Sequence, residues 1–502
     1  MKNDFGAVYW SISPNDEAMY CQCDSCARVD KAEGGPQGSL IHFVNKIAAM
    51  FPGRQITTLA YSYYAKAPRK TRPGPNVTIL LSSIDADRNL PLSTAPGASG
   101  FRRNLDAWRK LTNRVFVWDY CTQFTNYLTP FPVAATFANS FRYLQKKGVT
   151  GIFEQGSGDT YSDMSELKAY LIAAFLWNPG ADYEQLVSRF LHAYYGKAAS
   201  VVSEYLLLMD QQVREKKTRL DIYGNPVNHH KDYLSPANID SYSRLMDRAE
   251  ALVETDPASL RHIQLLRTGH DYVYLQQAKF FGKDLHGVFE KDIAGGYQLK
   301  AGLPKKVAHF VATAATAGVK ILSEEGPDLR QYSNEWKTIF NTPYRHNMAA
   351  DGQLALHYPF IQDYPAKNER TLMDETPGYA DYSYNWLCFD KVPMDAVIDM
   401  DAARSVRTIS IRFLEDARHW FFRPSAITIE TSEDGVAYFM AGDTDLSLPA
   451  ENWSIQAPVY KYPVNKKVRF VRVKAFPQKT LPAWRAHPSK NPLIACDEIW
   501  IE

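Results

Sequence analysis

The fold is decided by one stretch of the sequence, VFVWDYCTQFTNYLTPFPVAATFANSFRYLQKKGVTGIFEQG, which runs from Val115 to Gly156. An apolar run ending in Asp119 predicts a strand, helical spacing begins at Ala134, and a second apolar run ends in Glu154. The crossover is long enough for the two strands to lie parallel. The C-terminal strand ends of parallel barrels carry the chemistry, so both carboxylates are catalytic candidates. Each could instead cap the next element or pair with an arginine.

The same strand and helix alternation precedes this stretch. Strand signals occur at Phe5–Ile12, Ile56–Tyr64 and Val77–Ile84, and helical spacing occurs at Ser39–Met50 and Phe101–Leu111. Five such units in series predict a parallel sheet with helices outside. Because five units do not close a barrel of eight, the sheet is either open and doubly wound or the C-terminal part of a barrel that lacks three strands. The strand signal close to the first residue favours the truncated barrel.

The remaining sequence changes pattern twice. Apolar residues recur at three and four from residue 165, which is typical of packed amphipathic helices, and short alternating strands dominate the end of the chain. The predicted fold class is therefore multidomain α/β, all-α and all-β. It comprises a partial (β/α)8 barrel over residues 1–164, a helical domain over 165–330, a connector over 331–370 and an antiparallel β-sandwich over 371–502.

Composition excludes several classes of protein. The 502 residues are 45% apolar and 22% charged, with a net charge of +2 and no basic block, so nothing indicates a nucleic-acid or membrane-surface partner. No apolar stretch reaches the roughly 18 residues of a membrane span, and the N-terminus lacks a signal-peptide pattern. The 13% aromatic content fits a protein that handles hydroxyl-rich ligands, although aromatic residues are also ordinary core material.

A third candidate carboxylate follows the first predicted strand. Asp16 or Glu17 could act as a general acid, because burial at a barrel mouth can raise a carboxyl pKa towards neutrality. With Asp119 or Glu154 it would form the pair that glycosidic cleavage needs. Aromatic residues cluster at the same predicted strand ends, where they could stack on sugars or serve as core: Tyr61, Tyr63, Trp118, Tyr120, Phe124, Tyr127 and Phe131.

Three cysteines crowd the same loop. Cys21, Cys23 and Cys26 offer thiolates for a metal such as zinc, and a structural zinc site usually has four ligands. Cys121 could be the fourth if the loops converge. The alternative is that these are reduced, packed cysteines.

The motifs NDEAMYCQCDSC, WDYCTQFTNYLTPFP and GVTGIFEQG resemble a family of bacterial glycoside-hydrolase-like proteins named domain of unknown function 4838, over roughly residues 7–210. The resemblance implies a periplasmic, cell-surface or secreted protein that cleaves a glycosidic bond of an oligosaccharide or polysaccharide with paired carboxylates and no catalytic cofactor. The alternative is a non-catalytic carbohydrate-binding protein of a polysaccharide-utilisation system. The family motifs fall on Asn15, Asp16, Tyr61, Trp118, Asp119, Tyr120, Glu154 and Gln155.

The C-terminal part, with NWLCF, TISIRFLEDARHWFFRPSAITIETSEDG and DEIWIE, resembles the discoidin-like (coagulation-factor type C) modules of bacterial glycosidases. Such modules bind glycans through loop aromatics and often hold a structural calcium ion. The resemblance implies Trp386 and Trp420 as ligand-binding residues, and Asp374 and Glu498 as calcium ligands.

Overall fold

The computed structural model describes residues 6–16 and 19–502, and the chain divides into two compact units. These are residues 1–273 with 310–329, and residues 274–309 with 330–502. Within the described residues, no helix combines the length and the apolar character that crossing a bilayer requires.

A parallel sheet forms the centre of the first unit. Its strands pair in chain order and are β1 (Tyr9–Ser11), β2 (Gln55–Ala60), β3 (Val77–Ser82), β4 (Val115–Tyr120) and β5 (Gly151–Gln155). A doubly wound sheet would instead reverse its strand order at a switch point. The doubly wound alternative is therefore wrong. The structure shows a parallel half-barrel, and the described residues do not form a complete eight-stranded barrel.

Helices cover one face of this half-barrel. They are α1 (Asp24–Glu33), α2 (Gln37–Met50), α3 (Ser99–Leu111) and α4 (Ala134–Lys146). Val44 of α2, Trp108 of α3 and Leu144 of α4 share one apolar core with Val115 and Val117 of β4. Because successive strand side chains point to opposite faces, Phe116, Trp118 and Tyr120 belong to the other, open face.

The chain continues through six helices. They are α5 (Ser165–Trp177), α6 (Tyr183–Tyr195), α7 (Ala199–Lys216), α8 (Pro236–Leu252), α9 (Pro257–Phe281) and α10 (Leu303–Thr316). The segment after α10 returns to the half-barrel, where Leu322 accepts a hydrogen bond from the Tyr127 amide and the Glu324 amide donates to the Phe124 carbonyl at 2.7 Å. This return brings a distant part of the sequence to the strand ends.

The second unit is mainly antiparallel β-structure. Its elements are β6 (Phe289–Lys291), β7 (Tyr297–Leu299), α11 (Leu329–Asn341), β8 (Gln353–Leu356), β9 (Ala366–Glu369), β10 (Leu387–Asp390), β11 (Met394–Phe413), β12 (Ala426–Ser432), β13 (Phe439–Asp445), β14 (Val459–Phe476) and β15 (Leu493–Ile501). The main sheet has the order β10-β15-β11-β14-β12-β13, and β8 also pairs with β11. The region predicted as a connector therefore contains a helix and a strand of this sheet.

Two irregularities bend the long strand β11. Its register against β14 shifts between Asp399 and Arg404 and again between Val406 and Thr408. Bulges of this kind bend and twist a strand. Side chains from both halves of β11 lie in one buried core, so the sheet folds over a common interior as a sandwich does.

Candidate functional site

Asp119 and Glu154 lie side by side at the ends of β4 and β5, where the parallel register pairs them directly. Alternation places Asp119 on the same face as Val117, which packs against the helices. Ile152, on the same face of β5 as Glu154, packs against that core as well. The two carboxylates therefore belong to the helix-covered side of the sheet, and not to its open face.

Asp119 has a buried cationic partner. Arg88 is 5% exposed, and its Nη2 lies 3.1 Å from Asp119 Oδ1, which also accepts a hydrogen bond from the Ser83 hydroxyl. The Arg88 Nε donates to the Tyr120 carbonyl at 2.9 Å. A buried charge is tolerated when it is paired and hydrogen-bonded, as this carboxylate is.

Glu154 has the opposite environment. Both carboxyl oxygens are buried, and neither has a hydrogen-bond partner among the described residues. Burial raises the pKa of Glu154 well above its usual range and the charge of Asp119 raises it further, against a smaller opposing effect of Arg88. The neutral carboxylic acid is therefore favoured, as for a proton donor, but a sugar could reach it only after a rearrangement that exposes it.

We expect the Glu154→Gln variant to become more stable relative to the wild type as pH rises above about 4. The raised pKa makes the folded wild type bind more protons than the unfolded chain, so wild-type stability falls as pH rises from the unfolded pKa towards the folded pKa. A tenfold difference in proton affinity between the folded and unfolded chain corresponds to about 1.4 kcal/mol of unfolding free energy. Denaturation from pH 4 to 8 measures it, with exposed Glu254→Gln as the control. A pH-independent difference would contradict the assignment.

Aromatic and amide groups occupy the open face beside these strand ends. The indole N–H of Trp118 donates to Gln155 Oε1 at 2.7 Å, and Phe153 packs edge-on against Trp118 with ring centroids 5.0 Å apart. The Tyr120 hydroxyl lies 3.0 Å from the Ser82 hydroxyl. The predicted ligand-binding residues Trp118, Tyr120 and Gln155 are thus together, on the face opposite to Asp119.

A second group, which we call the strand-end cluster, consists of Asp16, Tyr61, Tyr120, Tyr223 and Glu324. Burial raises the pKa of Tyr61, and the charges of Asp16 and Glu324 contribute further. Burial also raises the pKa of Tyr223 to about 12, with contributions from Tyr61, Glu324 and Asp16. The Tyr223 side chain is 54% exposed. The cluster thus combines the exposed ring of Tyr223, the half-buried ring of Tyr61 and the buried ring of Tyr120 with two carboxylates at the C-terminal edge of the sheet.

The loop after β1 carries two of the predicted site residues. Asn15 and Asp16 are exposed, and the nearby Ser13 hydroxyl accepts a hydrogen bond from the Leu59 amide at 3.2 Å. The alternative acid, Glu17, lies outside the described residues. Asp16 is therefore in the neighbourhood of Tyr61, as predicted for strand-end residues, and away from the buried pair on the other face.

No pattern in the sequence pointed to Glu324 as a site residue. It lies far from the strands along the chain, in a turn after α10, and reaches them because its amide bonds to Phe124. Burial raises the pKa of Glu324, and the charges of Glu325 and Asp16 raise it further. Its turn-like context, SEEGPD, is the only local signal and is not specific for a site.

The structure also brings the three clustered cysteines together. The sulfur atoms of Cys21, Cys23 and Cys26 all lie within 4.8 Å of one another. Hydrogen bonds from the Cys26 amide and neighbouring thiols lower the pKa of Cys23 to about 7. Cys121 is not in this group, because it is buried beside Gln155 and its thiol donates to the Gln155 carbonyl at 3.4 Å.

The predicted ligand-binding tryptophans of the second unit differ in exposure. Trp386 is fully buried, and its indole N–H donates to the Tyr379 carbonyl at 2.9 Å. It has no free ring face, so the structure does not support stacking on a sugar. Trp420 is partly exposed, and the Arg485 guanidinium lies 3.6 Å from the centre of its ring.

Two further tryptophans lie near Trp420 and Arg485. We call Trp420, Trp453, Trp484 and Arg485 the C-terminal aromatic cluster. Trp453 is 41% exposed and packs against Trp484 with ring centroids 5.5 Å apart. Arg485 also lies 5.3 Å from the Trp453 ring. Trp453 lies in a loop and Trp484 in a three-residue 3-10 helix, Ala483–Arg485. Neither segment has a periodic pattern that marks a side chain as exposed, so the sequence did not single them out.

The predicted calcium ligands already have protein partners. Asp374 pairs with the Lys367 ammonium and accepts from the Thr376 amide at 3.0 Å. Glu498 is fully buried and accepts from the Asn347 side chain and, at 3.0 Å, from the Glu375 amide. Lys367 supplies at Asp374 the positive charge that calcium would supply, so the residues present do not fit the ion.

Comparisons with known proteins give one family and several solved structures. Similar structures include CpGH89CBM32-6 of Clostridium perfringens (15% identity, 31% of this chain and 98% of that chain, TM-score 0.21). They also include CBM32-1 from a family 31 glycoside hydrolase of Clostridium perfringens (18%, 32% and 99%, 0.21) and the Streptococcus pneumoniae fucose binding module SpX-3 (10%, 32% and 98%, 0.21). No curated protein matches the sequence.

The family match covers the half-barrel and the helices that follow it, up to the middle of α7. It agrees with the resemblance inferred from the motifs around Asp16, Asp119 and Glu154. Residues 1–207 of the chain match the family model described as a domain of unknown function, DUF4838.

Proposed function

We propose that the protein binds carbohydrate at the strand-end cluster. The observation that carries the proposal is that the half-buried Tyr61 and the exposed Tyr223 lie close enough to Asp16 and Glu324 for these charges to raise the pKa of both tyrosines. Sugars present apolar C–H faces that pack on aromatic rings, and their hydroxyl groups donate to carboxylates. Ligands of parallel α/β barrels bind at this C-terminal edge of the strands.

Replacing Tyr61 or Tyr223 by alanine is expected to weaken oligosaccharide binding about tenfold each, equivalent to about 1.4 kcal/mol. The loss follows from removing a stacking surface while leaving the carboxylates in place. Affinity electrophoresis through gels that contain plant, bacterial and host polysaccharides would first identify a ligand, and calorimetry would then measure the affinities.

The matched control is Tyr9→Ala. Tyr9 is 47% exposed and lies on the open face at the start of β1, away from the strand ends. Equal losses in Tyr9→Ala and Tyr61→Ala would show that the binding does not depend on the strand-end cluster.

Glycoside hydrolysis is the second candidate function. It is favoured by the raised pKa of Glu324, which burial and the charges of Glu325 and Asp16 produce, because a carboxyl group with a raised pKa can act as a general acid beside a second carboxylate. In this assignment Glu324 donates the proton to the glycosidic oxygen and Asp16 acts as base or nucleophile. Hydrolysis through Asp119 and Glu154 would instead require exposure of the buried Glu154 carboxyl.

If this candidate is right, Asp16→Asn and Glu324→Gln each reduce hydrolysis by about 100-fold while oligosaccharide binding is retained. The release of reducing ends from the polysaccharide bound in gels measures it, and exposed Glu254→Gln is the control. Full activity in both variants, together with a loss of activity in Glu154→Gln, would contradict this assignment. It would show that hydrolysis depends on Asp119 and Glu154 instead.

The C-terminal aromatic cluster supports a second carbohydrate site in the second unit. Trp453 offers an exposed ring, and Arg485 beside it adds a cation that favours acidic or sulfated sugars. A protein with these two sites would act on glycans outside the cytoplasm, in the periplasm, at the cell surface or in the medium.

A further inference from the structure

Three thiols meet at the N-terminal end of α1. Cys23 directly precedes the helix, Cys26 lies in its first turn, and Cys21 lies in the loop before it. Their sulfur atoms are within 4.8 Å of one another, and all six cysteines of the chain are free thiols in the structure. Cys21 and Cys23 are exposed, so a metal ion and a water molecule could both reach the group.

The donor set fits a thiophilic cation. Sulfur atoms bound to one tetrahedral zinc ion lie about 3.8 Å apart, since each zinc–sulfur bond is about 2.3 Å long. The three thiols would therefore converge on zinc with shifts of about an ångström. No fourth His, Cys, Asp or Glu joins the group in the part of the chain that the structure describes.

We propose that Cys21, Cys23 and Cys26 bind one Zn²⁺ ion through three thiolates, with a water molecule in the fourth position. Three thiolates make the site selective for soft cations over Mg²⁺ or Ca²⁺, which prefer oxygen ligands. The exposed sulfur atoms leave room for the water.

The ion would fix the loop that leads to α1. Tyr63 already holds this loop from one side, because its hydroxyl donates to the Met19 carbonyl at 3.1 Å and its ring stacks on Tyr20 with centroids 5.5 Å apart. Zinc would attach the next residues to the helix N-terminus. Asp16 lies five residues before Cys21 in the sequence, so the zinc site would help to position one carboxylate of the strand-end cluster, a step that rests on the proposed function.

The test uses the full chain, reduced, incubated with Zn²⁺ and freed of excess metal. We expect one zinc per chain by elemental analysis, and no retained zinc in Cys23→Ser or Cys26→Ser. The matched control is Ser25→Ala, which lies between two of the cysteines and should retain the metal. X-ray absorption of the wild-type zinc complex should give three sulfur ligands and one lighter ligand.

Thiol counting gives a readout that does not depend on any variant. Zinc should protect three thiols from a modifying reagent, because Cys121, Cys388 and Cys496 are buried. Zinc retained by both serine variants, fewer than three sulfur ligands, retention of Cu⁺ but not Zn²⁺, or a disulfide in the freshly purified protein would each overturn the proposal. Removal of zinc should also weaken oligosaccharide binding several-fold. If no sugar binds but the zinc stoichiometry holds, only the proposed function fails.

Discussion

Arg88→Met is expected to destabilise the first unit by about 3–5 kcal/mol. The substitution leaves Asp119 buried with its negative charge unpaired, and it removes the hydrogen bond from Arg88 to the Tyr120 carbonyl. Leaving one member of a buried ion pair without its partner is among the few single changes with an effect of this size. Urea denaturation followed by circular dichroism measures the shift.

Two variants separate the ion pair from general effects of losing an arginine. Exposed Arg103→Met on α3 should change stability by less than about 0.5 kcal/mol. The double variant Arg88→Met with Asp119→Asn should lose less than the sum of the two single losses, because no uncompensated charge remains. An Arg88→Met loss no larger than that of the Arg103 control would contradict the buried pair.

Trp386→Ala is expected to destabilise the second unit by about 3–5 kcal/mol, without a direct effect on glycan binding. Trp386 is fully buried, its N–H is bonded to Tyr379, and the Arg412 guanidinium lies 5.4 Å from its ring centre. Truncation therefore leaves a large cavity and removes the ring on which the Arg412 guanidinium packs. Urea denaturation measures the loss of stability from the unfolding transition assigned to the second unit.

Trp453→Ala is the matched control for Trp386→Ala. Because Trp453 is 41% exposed, its truncation should leave the stability nearly unchanged and should weaken any glycan binding by the second unit. If Trp386→Ala is stable but loses glycan binding, Trp386 is a ligand-binding residue, as the resemblance implied.

Local patterns predicted most elements of the half-barrel. The strand expected at Val77–Ile84 is observed at Val77–Ser82, and the helix expected to begin at Ala134 does begin there. These predictions agree with the structure because strand alternation and helical spacing depend on residues that are close together in the sequence. The same alternation shows, once Val117 is known to face the helices, that Asp119 does too.

The composition of the site could not be predicted in the same way. Strand-end position identified Asp119 and Glu154, but which face is covered depends on where the helices pack. Glu324 reaches the strand ends only through tertiary contacts of the segment after α10. Likewise, local sequence did not separate buried Trp386 from partly exposed Trp420.

A crystal structure of the full chain with the oligosaccharide that it retains in affinity gels tests the central proposal most directly. We predict a sugar ring packed on Tyr61 or Tyr223, with its hydroxyl groups within hydrogen-bond distance of Asp16 and Glu324. A sugar bound only at the C-terminal aromatic cluster, with the strand-end cluster vacant at saturating ligand, would contradict it.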